Sequence, residues 1–277
     1  MVVSLILHPL FLIFFLLIFI FPFYAFAQDF NFNRAFSDYL YSVSLYRQAY
    51  QEYIPARESY LRYKTLTSKT TALEKTLKMV QLRDETIRTY LIAIKMKMAE
   101  ISGISSSDQN LFNLRLDNEA SWYLAHKEEL SSAGTLEDLI NLAHKAEERY
   151  YQETEILIYQ TLHKILVGKE TALKEKIINQ IEAIREKLKE IKTTGDKDVS
   201  LSERWLLETE NRLLRFEEKI FSSKENINRI GEPTLKDKAQ IYKEAQLNLE
   251  EAHQYLKEAN RYLKEVIREV KTADGNY

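Results

Sequence analysis

No cysteine occurs in the chain, which removes disulfides, thiolate metal sites, a cysteine nucleophile and cysteine acylation. Glycine and proline are scarce, six and four in 277 residues, against usual shares of about 7 % and 5 %. Strand-rich folds use more turn residues than this, which speaks against an all-β or doubly wound architecture. The glycines, at positions 103, 134, 168, 195, 231 and 275, stand singly, whereas a phosphate-cradling loop needs them clustered. Neither sign of charge dominates. Thirty-nine Lys and Arg against 41 Asp and Glu leave a formal charge of −2, so no net field draws the chain to nucleic acid or anionic lipid. A Gly-x-Ser-x-Gly nucleophile elbow is missing as well. These absences leave no catalytic residue, cofactor or nucleic-acid partner to nominate, and the chain reads as a non-enzyme.

Charge is also missing locally. Residues 1–27 contain no Asp, Glu, Lys or Arg, and Leu5 to Ala27 is nearly unbroken Leu, Ile and Phe. It closes on Ala25-Phe26-Ala27, small residues at the two positions a signal peptidase reads. This predicts an export signal over 1–27, cleaved after Ala27, and an extracytoplasmic protein that is periplasmic, secreted or on the cell surface. The alternative is an uncleaved anchor, because about 20 apolar residues are enough to span a bilayer and no basic residue precedes them. Only in that case would the chain contact a membrane.

After residue 30, apolar residues recur in alternating steps of three and four, the spacing of helices packed along a narrow seam. The fold class is therefore all-α: antiparallel helical hairpins in a coiled-coil bundle, with about six helices near 32–66, 71–101, 108–130, 136–192, 203–230 and 235–271. Capping boxes are expected at Thr71 with Glu74, Thr135 with Asp138, Ser200 with Glu203 and Thr234 with Asp237. Residues 28–134 form an N-terminal unit and 135–277 a C-terminal one, meeting near Gly168, where the long fourth helix is expected to bend. Pro55 is expected to kink or split the first helix.

In the last hairpin, pairing Leu206 with Ala259, Leu213 with Ala252 and Ile220 with Ala245 sets large residues against small ones. In the first hairpin, Tyr39, Tyr46, Tyr53 and Tyr60 recur every seventh residue and are predicted to fill the seam, with Tyr39 opposite Ile101 and Arg57 opposite Asp84. Tyr41 and Tyr63 fall off that stripe and are candidates for a partner surface. So are Leu263, Val266 and Val270, which extend beyond the paired seam and either dock on the fourth helix or bind something else.

Four histidines, His126, His144, His163 and His253, follow the leader. Only Glu250 with His253 has the Glu-x-x-His spacing of carboxylate-bridged metal bundles, and no second copy exists, so no metal site is nominated. The expected function is that of an exported scaffold, spacer or adaptor acting through protein-protein contacts or self-association. The alternatives are a binding protein for envelope polysaccharide, using the tyrosine-rich helix, and a ferritin-like metal protein.

Overall fold

A computed structural model describes residues 31–194, 198–232 and 237–274. The leader and its cleavage site lie outside the described residues. All regular structure in the described residues is helical, and six helices form a bundle. These are α1 (Phe32–Tyr63), α2 (Leu66–Ala99), α3 (Ser106–Glu129), α4, α5 (Ser200–Asn228) and α6 (Lys238–Asp274). Helix α4 runs over Leu136–Arg149 and Glu155–Thr194, joined by a π turn at Tyr150–Thr154.

Local chemistry sets the helix ends. Lys64 adopts a left-handed backbone (φ 51°) and its N–H closes α1 on the Tyr60 carbonyl; Thr65 then caps α2 by accepting from the Ser68 N–H. The expected box at Thr71 with Glu74 therefore does not form, because α2 has begun at Leu66. The hydroxyl of Thr70 donates to the Leu66 carbonyl, so a segment that looks like a break by composition is absorbed into the helix. Thr135 and Asp138 make the complete capping box expected of them. At α5 the Asp198 carboxylate accepts from both the backbone and the hydroxyl of Ser200, which displaces the expected pairing of Ser200 with Glu203. Thr234 lies outside the described residues, while Asp237 accepts from the Gln240 N–H. Pro55 does not split α1, which continues as one helix to Tyr63.

The two-residue connection between α1 and α2 fixes their register. Tyr39 stacks on Tyr90 with ring centroids 5.0 Å apart, Ser42 bonds Thr89 at 2.7 Å, and Lys75 pairs with Glu52 at 3.0 Å. This corrects the expected pairing by about three helical turns. The buried stripe of α1 is Ala35, Ser42, Ala49 and Ala56, also every seventh residue but small, so the two backbones can approach closely. The tyrosines at 39, 46, 53 and 60 flank that stripe and are half-buried. Arg57 is exposed and does not face Asp84, which is buried toward α3.

In the last hairpin the expected seam is buried on both sides, from Leu206 to Ile230 on α5 and Ala245 to Ala259 on α6. The Ser223 hydroxyl donates to the Ala245 carbonyl, Arg212 pairs with Glu258, Lys219 pairs with Glu251, and Trp205 stacks on Tyr262. These partners lie two to five residues further along α6 than the expected facing positions. Part of that offset is inherent to antiparallel helices, whose side chains lean toward their own N-termini.

Helix α4 joins two cores. Leu157, Ile158 and Ile165 pack with Leu91, Met98, Leu116 and Tyr123 of α2 and α3. From Val167 onward, Ile177, Ile184 and Ile191 pack with the α5–α6 seam. Gly168 is not a bend, since α4 runs through it. A Cβ on Gly168 would come within 2.4 Å of Ile104, and one on Gly103 within 2.0 Å of the Gly168 carbonyl oxygen. These two glycines let the α2–α3 connection lie directly on α4. The irregularity of α4 is instead the π turn, 14 residues before Gly168.

Candidate functional site

The densest polar assembly is built on α3, where Glu119, Tyr123 and His126 share one helical face and all are buried. Nδ1 of His126 lies 2.6 Å from Oδ2 of Asp84, and Nε2 lies 3.0 Å from the Leu142 carbonyl oxygen. A carbonyl only accepts, so Nε2 carries a proton and donates to Leu142, and one further proton joins Nδ1 to the Asp84 carboxyl. Arg83 adds bonds of 3.3 Å to the other Asp84 oxygen. Trp122 stacks on the His126 ring at 4.9 Å, with the Arg149 guanidinium 4.6 Å from the Trp122 centroid.

Arg149 in turn grips Glu119 with two bonds, at 3.1 and 2.6 Å. Thr154, in the π turn, donates to Glu119 at 2.5 Å and accepts from the Tyr123 hydroxyl at 2.9 Å. Burial holds the Tyr123 phenol well above its ordinary pKa, so it stays a donor. The extra residue of the π turn thus delivers Thr154 to a buried carboxylate. The assembly ties α2, α3 and α4 together, and its polar atoms are engaged with one another.

The other histidines are dispersed. His253 contacts Glu170 of α4 at 3.0 Å, and His144 lies 3.3 Å from Glu147. Among the described residues, no group of three or more His, Asp or Glu side chains is placed to hold a metal ion. His163 is buried and its Nε2–H donates to the Ser223 hydroxyl at 2.8 Å; that hydroxyl donates its own proton to Ala245. One histidine thereby links α4, α5 and α6. Burial, then the positive charges of Lys164 and Lys224, lower its pKa from 6.5 to about 4.

That shift has a measurable consequence. Between pH 6.5 and 4 the unfolded chain holds a proton that the folded chain refuses, so stability falls as the pH is lowered through this window. The loss from this group reaches about 3 kcal/mol near pH 4 and vanishes above pH 6.5. Urea unfolding at a series of pH values should show this slope in the parent and lack it in His163→Gln. Parallel curves would refute the assignment.

The expected partner residues divide into two groups. Tyr41 and Tyr63 are 66 % and 62 % exposed. Leu263, Val266 and Val270 are buried in one core cluster with Ile184, Leu188 and Ile191 of α4 and Leu206 of α5. A further apolar surface, off the buried seam, lies on α5, where Leu207, Leu214 and Phe221 are 57 %, 64 % and 65 % exposed. They recur every seventh residue, immediately after the seam positions Leu206, Leu213 and Ile220. Their spacing is readable in the sequence, although periodicity centred on the buried stripe hides it.

Aromatic rings also form a ladder along α1. Phe32, Phe36 and Tyr39 follow one another at 5.5 and 5.9 Å, and Tyr46, Tyr50 and Tyr53 at 6.2 and 6.1 Å. Comparison with protein-family models, with curated proteins and with solved structures finds no match.

Proposed function

We propose that this chain is a non-catalytic, exported scaffold or adaptor that works by docking a helix of another protein, or of a second copy, along α5. The observation that carries this reading is the exposed Leu207, Leu214 and Phe221 stripe. A seven-residue repeat of large apolar side chains on one helix is the pattern a partner helix packs into. Isolated exposed apolar residues need no explanation, but three in register form a strip that water covers at a cost. Export rests on the charge-free leader and its Ala25-Phe26-Ala27 ending. No helix among the described residues is long and apolar enough to cross a membrane.

The triple variant Leu207→Ser, Leu214→Ser, Phe221→Ser tests this directly. Because these side chains are exposed, each change should alter stability by no more than about 0.5 kcal/mol. Complexes recovered from the producing cell by mild crosslinking, whether with another protein or with a second copy, should be lost. An unchanged crosslinking pattern would refute the proposal.

A second reading, recognition of envelope polysaccharide, draws on the ring ladder of α1 and on exposed Tyr41 and Tyr63. Sugars stack on such rings, and a glycan-binding screen with Tyr41→Ala and Tyr63→Ala controls separates it from the first.

A further inference from the structure

A groove of about 360 Å³ opens where α1, α2, α4 and α6 converge, within the size range of small-molecule sites. Its lining includes four aromatic side chains, Phe32, Phe36, Tyr90 and Tyr242, and the aliphatic Ile94 and Ile165. Burial raises the pKa of the Tyr90 and Tyr242 phenols, so both stay protonated as donors. The charged groups of the lining are Lys97 and Lys169, with no Asp or Glu among the lining residues. Lys97 lies 4.7 Å from the Phe32 ring centroid, which holds its ammonium over the α1 end of the groove, and it pairs with Glu100 outside the lining. Lys169 is exposed, and the adjacent Glu170 is engaged by His253.

An apolar trough whose lining carries two lysines and no carboxylate fits a ligand that is hydrocarbon along its length and negative at one end. A cationic or zwitterionic amphiphile would set a positive group beside two lysines. A neutral hydrocarbon would leave Lys169 at the rim without a counter-charge. We propose that this groove binds an aliphatic monocarboxylate, with its chain along the aromatic side chains and its carboxylate between Lys97 and Lys169. The site is separate from the α5 stripe and stands whether or not that stripe docks a partner.

The test is titration calorimetry of the full chain with dodecanoate, kept below its micelle concentration, beside dodecyltrimethylammonium as the opposite-charge probe. The expected result is saturable binding of one dodecanoate per chain and none of the cation. Lys169→Glu and Lys97→Glu should each weaken dodecanoate on the order of tenfold. Both positions are on the surface, and an unchanged melting curve confirms that each variant is folded. Absence of saturable binding would overturn the proposal. So would equal binding of the two probes, or affinity indifferent to both lysine reversals, which would place the hydrocarbon on the apolar leader or elsewhere.

Discussion

Asp84→Ala should lower stability by about 3 kcal/mol, because it leaves the buried Nδ1 of His126 without its hydrogen-bond partner. For a helical unit of this size that corresponds to a fall in Tm of roughly 10 °C. Asp84 is fully buried and shares His126 with the Leu142 carbonyl, while Arg83 approaches its second oxygen. Removing the carboxylate therefore strands the buried His126 ring, while the partly exposed Arg83 keeps access to water. The paired replacement Asp84→Leu with His126→Phe removes both polar partners and keeps Trp122 covered, so it should cost less than the single change. Chemical unfolding of the three chains decides the matter. A double variant at least as unstable as Asp84→Ala would show that the pair is not coupled.

Gly103→Ala is expected to cost more than about 3 kcal/mol, beyond the usual range for an overpacked apolar core. The added Cβ would meet the Gly168 carbonyl oxygen at 2.0 Å and the Ala172 nitrogen at 2.8 Å, both backbone atoms of α4. Backbone inside a helix cannot yield without breaking its hydrogen bonds, so the α2–α3 connection must lift away and part the packing at Ile101 and Ile104. Gly168→Ala meets the side chains of Ile104 and Ile101 instead, which can rotate, and should cost less. Thermal unfolding of the two variants should rank them in that order. Equal Tm values would contradict the close crossing.

Several features of this fold were legible in the sequence, for identifiable reasons. The α5–α6 seam was readable because large and small residues alternate along it, and its buried positions are those expected. The first hairpin was misread because two heptad stripes coexist on α1. The tyrosines are the larger set, but Ala35, Ser42, Ala49 and Ala56 are the ones α2 covers. Hydrophobic periodicity weighs the bulkier stripe more heavily, whereas close helix approach selects the smaller one.

Asp84 was recognisable as a lone charge on an apolar stripe. Its partner was not, since His126 comes from α3 and long-range pairing leaves no local signal. The π turn was hidden for the same reason: Thr154 is one threonine among many until Glu119 and Tyr123 converge on it. Gly168 was singled out correctly as unusual within a helix but given a bending role. Its neighbours Ile101 and Ile104 lie more than 60 residues earlier in the chain.

The central functional claim, that the exposed side of α5 docks a helix, is tested most directly by a photoreactive phenylalanine analogue placed at position 214 in the producing cell. The account predicts a discrete covalent adduct from this position and from positions 207 and 221, with the same protein each time, and none from exposed Lys257 on α6. Failure of all three positions to yield an adduct, or equal yield from position 257, would contradict it.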